Sequence, residues 1–352
     1  MASTHSPTDL AGVIAGYRLC AKSEGKSPKT VQTVADAAGQ LERFLLSCGL
    51  TTDAAAIGPN ELRAFIIHLQ GKRRFADHPL AGTQEGTLSP HTVNTYLRSL
   101  RALWSWLVAE GMVERSPFER VRVPRAPRKV VATFSDSDIA ALLDAIDTGR
   151  PEGFRDYVVI LTLLDTGLRV SELAGLRLDE SQIHEGVLKV MGKGSRERLI
   201  PVGGEVRRLL RRYVTCYRPE PAGYRGGTLF LTGDGRPLTA RGVQRQLSRH
   251  GKRAGLSAVR CSPHTLRHTA AVRFLRNGGN VFALQRLLGH SSLAMTRHYC
   301  ELADADVWVA HGTASPVDNL SLAGLRSQRR KADSYKGRGR PRTGRSCRHR
   351  GH

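Results

Sequence analysis

The chain has 352 residues, 40% of them hydrophobic, which is enough for two domains with cores of their own. No apolar run reaches the roughly 18 residues of a membrane span, and Met1 to Leu10 lacks the basic start and apolar stretch of a secretory signal, so a cytoplasmic protein without membrane attachment is expected. Lys and Arg number 54 against 31 acidic residues, a formal net charge of +23; +10 of it lies between Ser321 and His352 and +13 in the rest, and a basic excess spread through folded sequence points to a polyanion partner.

The first part reads as helical. Thr8 to Leu19, Pro28 to Cys48, Pro59 to Gln70 and Pro90 to Glu110 carry apolar residues at helical spacing. Ser27-Pro28 and Ser89-Pro90 are N-cap and first-turn signals, and Gly49 and Gly111 are plausible stops. In the fourth helix Leu97, Leu100, Leu103, Trp104 and Leu107 form an apolar stripe, read as core rather than ligand site. Gly71 to Leu88 is polar and glycine-containing, an exposed loop. Ser116 to Val131 is proline-rich and basic, with Arg120, Arg122, Arg125, Arg128 and Lys129, and reads as a linker able to track a phosphate backbone or simply to be solvated.

The second domain opens with Ser135-Asp136-Ser137-Asp138, a capping box. Helices are expected over Phe154 to Leu164 and Val170 to Leu176. Two short strand-like runs follow, GVLKVM and RERLIPV, joined by Gly-Lys-Gly-Ser as a hairpin. Glu205 to Tyr217 returns to helix, Thr228 to Thr232 reads as a short strand before the turn GDGRP, and Ala240 to Ala254 is a helix started by Thr239. Three more helices begin at Ser262-Pro263, Asn280 and Ser292. From about Arg326 the chain is Arg, Gly and Ser with little to bury, which predicts disorder. The expected division is 1–115 helical, 116–132 linker, 133–312 catalytic and 313–352 basic tail. The six cysteines, Cys20, Cys48, Cys216, Cys261, Cys300 and Cys347, form no CxxC pair and suit reduced thiols.

Four separated pieces carry chemistry: Thr166-Gly-Leu-Arg169-Val-Ser-Glu172, Gly192-Lys193-Gly194, His264-Thr-Leu-Arg267-His268, and Leu288-Gly-His290 followed nine positions later by Tyr299. Singly, each has a plain explanation, such as a helix-surface pair for Arg169 and Glu172 or a core tyrosine for Tyr299. Together they suit phosphodiester chemistry. Guanidiniums are planar, permanently charged clamps for phosphate oxygens, and Arg169 and Arg267 are the candidates. A phenol attacks and leaves again more readily than an alcohol, which fits Tyr299. The departing sugar oxygen needs a proton, and Lys193, between two glycines at a hairpin tip, is the candidate acid. Bond energy kept in a phosphotyrosine removes any need for ATP, metal or other cofactor. Cys261, His264 and His268 have a C-x2-H-x3-H spacing, but no second ligand pair lies near, so zinc is not expected.

The set resembles the tyrosine recombinase (phage integrase) family, in which an Arg, a hairpin Lys, a His-x-x-Arg, a second His or Trp and a Tyr appear in this order. The resemblance is strong over about Thr133 to Ala303. It implies a mainly α fold with a small β-sheet: an N-terminal helical, SAM-like core-binding domain and a C-terminal α+β integrase-type catalytic domain. It also implies that Glu172 orients Arg169 or a nearby His, that His264 is a base or proton shuttle for Tyr299, and that His290 hydrogen-bonds the phosphate. The implied partners are double-stranded DNA recombination sites, a homotetramer on two such sites, and accessory DNA-bending or directionality factors. The segment Leu302 to Ala310, with Trp308, would be the helix exchanged between protomers, packing on its own chain being the alternative. The loop at 71–88 and the long tail favour a mobile element's integrase over a Xer-type chromosome-dimer resolvase. A silent DNA-binding regulator is disfavoured by the complete residue set. Base readout is expected from Ala240 to Ala254 and Pro90 to Glu110 in major grooves.

Overall fold

The structure, a computed structural model, describes residues 8–74, 84–127, 132–192, 197–223, 227–290 and 292–303. The chain divides into two compact units, Met1–Lys129 and Val130–His352. No described helix is long and apolar enough to cross a membrane.

The first unit is built on helices α1 (Leu10–Ser23), α2 (Pro28–Ser47), α3 (Pro59–Gly71) and α4 (Pro90–Ala109). The Ser27 and Ser89 side chains accept from the Thr30 and Thr92 amides at the starts of α2 and α4, caps worth about 1 kcal/mol each. The whole expected stripe from Leu97 to Leu107 is buried, with Trp104 fully enclosed and 5.8 Å from the Phe118 ring. Two expectations need correction. The polar run after α3 is not simply loop: Arg73–Arg74 (β1) pairs antiparallel with Gln84–Thr87 (β2), while 75–83 lie outside the described residues. The expected linker also begins inside the first unit. Pro117–Arg120 is a 3-10 turn, and Phe118 and Val121 are buried in the first core. Their burial, with hydrogen bonds from Arg63 to the Arg120 carbonyl and from Asn94 to that of Pro124, holds the stretch on the first unit.

The second unit holds α5 (Asp136–Asp144), α6 (Pro151–Thr166), α7 (Val170–Ala174), the hairpin β3 (Val187–Met191) and β4 (Glu197–Pro201), α8 (Gly204–Arg212), α9 (Ala240–Arg253), α10 (Pro263–Arg276), α11 (Val281–Leu288) and α12 (Ala294–Ala303). The box at Ser135 closes as read, Ser135 Oγ accepting from the Asp138 amide and Asp138 Oδ2 from that of Ser135. The hairpin pairs Val187 with Pro201 through Met191 with Glu197. The helix expected to reach Tyr217 changes to a π turn at Tyr213–Tyr217, whose Tyr213 hydroxyl accepts from the Leu231 amide at 3.1 Å. Thr228 to Thr232 forms only isolated bridges, at Arg177–Thr228 and Leu231–Pro237. Side chains occupy the carbonyls a ladder would use: Arg218 donates to those of Thr228 and Leu229, and Arg155 to that of Leu231.

Helix α10 lies at the middle of this unit, against α6, α11 and α12. Helix α9 is fixed to α6 by a buried polar chain. Asp156 accepts two hydrogen bonds from Arg155, at 3.0 and 2.7 Å, and pairs with His250 Nε2 at 2.9 Å. Val243, Leu247 and His250 face inward on α9, leaving Arg241, Arg245 and Arg249 exposed on the other side.

Candidate active site

The site forms where the ends of α6 and α11 meet α10. Helix α6 stops at Gly167, whose φ of 62° is left-handed, and α11 stops at Gly289 with φ 63°. Both positions are crowded as well as strained for any other residue. A Cβ at Gly167 would meet Leu288 Cδ2 at 2.8 Å, and one at Gly289 would meet the Arg198 guanidinium carbon at 2.9 Å. Each reversal presents backbone carbonyls inward, and Arg267 of α10 collects them. Its Nη1 donates to the Gly167 carbonyl at 2.6 Å and its Nη2 to that of Leu288 at 2.8 Å. Arg267 is 5% exposed. Burial, and then the neighbouring charge of Arg169, lower its pKa to about 10, which leaves it charged at neutral pH.

Arg169 caps α7. Its amide donates to Glu172 Oε2 and its Nη1 to Glu172 Oε1, both at 2.9 Å. The same carboxylate takes two parallel hydrogen bonds from Arg198 of β4, at 3.0 and 2.9 Å. Burial alone would push the Glu172 carboxyl upward, but the hydrogen bonds from Arg198 and Arg169 outweigh it and hold the pKa below the ordinary value. Glu172 is therefore an anion bridging two cations, and the pocket has three guanidiniums against one carboxylate.

His290 follows Gly289. Its Nε2 lies 3.1 Å from Arg267 Nη2, and its Nδ1 lies 2.9 Å from Thr296 Oγ1. An arginine can only donate, so Nε2 is the acceptor and Nδ1 carries the proton. Burial first, and the charges of Arg267, Arg169 and Arg198 after it, lower its pKa to about 4, so the imidazole is neutral at physiological pH. In this arrangement it orients Arg267.

Tyr299, on α12, is 5% exposed and packs with Ala271, Val272, Leu284 and Leu288. Its ring lies nearly parallel to that of His290, with centroids 6.3 Å apart and planes at 14°. Its hydroxyl is 2.8 Å from His268 Nδ1. Burial raises the phenol pKa, against the lowering effect of Arg267 and Arg169.

Of the residues predicted from sequence, Arg169, Glu172, Arg267, His290 and Tyr299 gather here. Lys193 and Trp308 lie outside the described residues. His264 lies three residues before Arg267 on α10. It is exposed on the first turn of α10, beside a cavity of about 460 Å³ lined also by Lys252, Arg260 and Ser262. The imidazole against Tyr299 is that of His268, whose ring centroid is 6.5 Å from that of His264. Two residues in contact with this group were not picked out from the sequence. Arg198 had a usable signal, since it shares the inward face of β4 with the buried Ile200. His268 stood within the run from His264 to His268, but only the packing of α12 on α10 brings it to Tyr299. Among the described residues no group of three or more His, Cys, Asp or Glu side chains gathers as metal ligands do. Cys261 is packed under Gly251, and burial pushes its thiol up to about 11.

Fixed guanidiniums around a buried phenol suit an anionic ester: the cations neutralise oxygens that gain charge as the phenol attacks. The comparisons agree in kind. Residues 133–306 match the profile described as "Phage integrase family". The tyrosine recombinase XerD of Pseudomonas putida is 35% identical over 247 residues, 70% of this chain and 82% of that protein. That of Pseudomonas aeruginosa is 32% identical over 290 residues, 78% of this chain and 97% of its own length. The crystal structure of XerH site-specific recombinase bound to a palindromic difH substrate has the same fold, with a TM-score of 0.64 at 19% identity, covering 87% of this chain and 85% of that one. The chain belongs to the phage integrase family, the tyrosine-type site-specific recombinases.

Proposed function

We propose that this enzyme cuts and rejoins double-stranded DNA at specific sites through a covalent 3′-phosphotyrosine on Tyr299. The supporting observation is the convergence of Arg169, Arg267, His290 and Tyr299, from well-separated stretches of sequence, on the Gly167 and Leu288 chain reversals. Arg169 and Arg267 hold the non-bridging oxygens of the scissile phosphate, with Glu172 fixing Arg169 and His290 fixing Arg267. The phenol oxygen bonds to phosphorus and the bond to the 5′-oxygen breaks; Lys193 protonates that oxygen. His264, exposed on the first turn of α10, serves as a proton shuttle. The ester conserves the energy of the broken bond, so reversal needs neither ATP nor metal.

The basic face of α9 and the helical first unit bind the duplex, on the pattern of the XerH complex with its difH substrate. The working assembly is a homotetramer on two sites, with accessory factors setting direction. The basic tail and the insertion-like segment at 71–88 favour a mobile element's integrase; the XerD names of the relatives favour a Xer-type resolvase. Mapping recombined junctions separates the two.

The test begins with the Tyr299→Phe protein, which should select a preferred duplex from a randomised library. That duplex, nicked next to the cleavage position, is then given to the wild-type protein in EDTA. A denaturation-resistant protein–DNA adduct is expected, and none with Tyr299→Phe. Selective binding without an adduct would point instead to a regulator.

A further inference from the structure

We infer that His268 is the catalytic base that takes the proton of Tyr299, an assignment that rests on Tyr299 being the nucleophile. Its Nδ1 lies 2.8 Å from the phenol oxygen, within the distance a general base needs from the proton it removes. The contact is built into the fold. His268 follows the buried Arg267 on α10, and Tyr299 is held on α12 among Ala271, Val272 and Leu288. One side of α10 thus carries the phosphate-binding guanidinium and the next residue carries the proton acceptor. His264, a turn earlier and exposed, has its ring centroid 6.5 Å from that of His268.

The chemistry requires such a group. Burial raises the Tyr299 pKa, so the phenol is protonated at neutral pH and a weak nucleophile. In the Nε2–H tautomer, Nδ1 offers its lone pair to the phenol. As the oxygen–phosphorus bond forms, the phenolic proton passes to Nδ1. The electron pair of the breaking phosphorus–oxygen bond leaves with the 5′-oxygen, which is protonated by the general acid. In the reverse reaction the 5′-hydroxyl attacks, and His268 returns its proton to the departing phenolate. The charged and titratable groups bearing on the pair are Arg267 and Arg169, whose charges favour phenolate, His290 stacked on the tyrosine ring, and His264 near the His268 ring.

The same contact would also arise if His268 only parked the tyrosine in a resting position, and the two roles predict opposite kinetics. Single-turnover adduct formation is measured on the selected, nicked duplex with the full chain, alongside duplex affinity and thermal melting of each variant. For a base, His268→Ala slows adduct formation about 100-fold at pH 7 with unchanged affinity. His268→Asn, which keeps a hydrogen-bonding group but no basicity, is equally slow. The rates of both variants climb towards wild type with pH as the phenol itself ionises. Wild-type speed in His268→Asn, or faster cleavage in His268→Ala, would overturn the assignment. So would transfer of the whole pH signature to His264→Ala. Failure of the wild-type protein to form any adduct would instead overturn the underlying nucleophile assignment.

Discussion

Replacing Glu172 by Gln tests the electrostatic design of the pocket. The carboxylate side chain is 5% exposed and joins Arg169, 33% exposed, to Arg198, 17% exposed. Removing one partner of a buried ion pair costs about 3–5 kcal/mol. The glutamine carbonyl keeps part of the bonding and Arg169 can rehydrate, so a loss of about 2–3 kcal/mol is expected at pH 7. The pH dependence follows from the lowered pKa of Glu172. A carboxyl with a depressed folded value contributes stability above its unfolded pKa, and that contribution disappears as pH falls through the folded one. The gap between wild type and Glu172→Gln should therefore be full at pH 7 and close as the solution is taken below the ordinary carboxyl range. Amide hydrogen exchange in α7 and α10 is the suitable assay, because the described tryptophans, Trp104 and Trp106, lie in the first unit and would report on the wrong core. The same variant should cleave DNA roughly 10–100-fold more slowly, because Arg169 loses its fixed position. An equal gap at both pH values, or none at pH 7, would refute the bridging role.

Gly289→Ala combines a left-handed φ with a Cβ at 2.9 Å from the Arg198 guanidinium carbon; a loss of about 1–2 kcal/mol and slower cleavage should appear in exchange and single-turnover measurements. Asp156→Ala would leave Arg155 and His250 without their shared buried carboxylate, and thermal or urea melting should show about 3–5 kcal/mol of lost stability. Arg241, Arg245 and Arg249, exposed on α9, should each lower DNA affinity when changed to Gln. A phosphate-contacting arginine would weaken all duplexes alike and reduce the salt slope by about one, whereas a base-contacting one would relax preference at one position.

Local signals were the most legible in the sequence. The serine caps at 27, 89, 135 and 262, the Asn280 cap and the hairpin all depend on neighbours a few residues away, and each forms as spacing predicts. The gathered residues were legible for a different reason: a guanidinium, an imidazole and a phenol suited to one ester stand in a recognisable order. Properties that depend on distant packing were not. Phe118 and Val121 read as linker because their partners lie on other helices. The Thr228 to Thr232 run read as strand because nothing local shows that Arg155 and Arg218 take its carbonyls. That His268 meets Tyr299 depends on which face of α10 receives α12, which no local pattern shows.

The most direct measurement is proteolysis of the covalent complex formed on the nicked duplex, followed by mass spectrometry of the peptide carrying nucleotide. The expected result is a single modified peptide with the phosphodiester on Tyr299, its amount unchanged by EDTA. Nucleotide attached to any other side chain, or a complex that falls apart on denaturation, would contradict the assignment of this phenol as the attacking group.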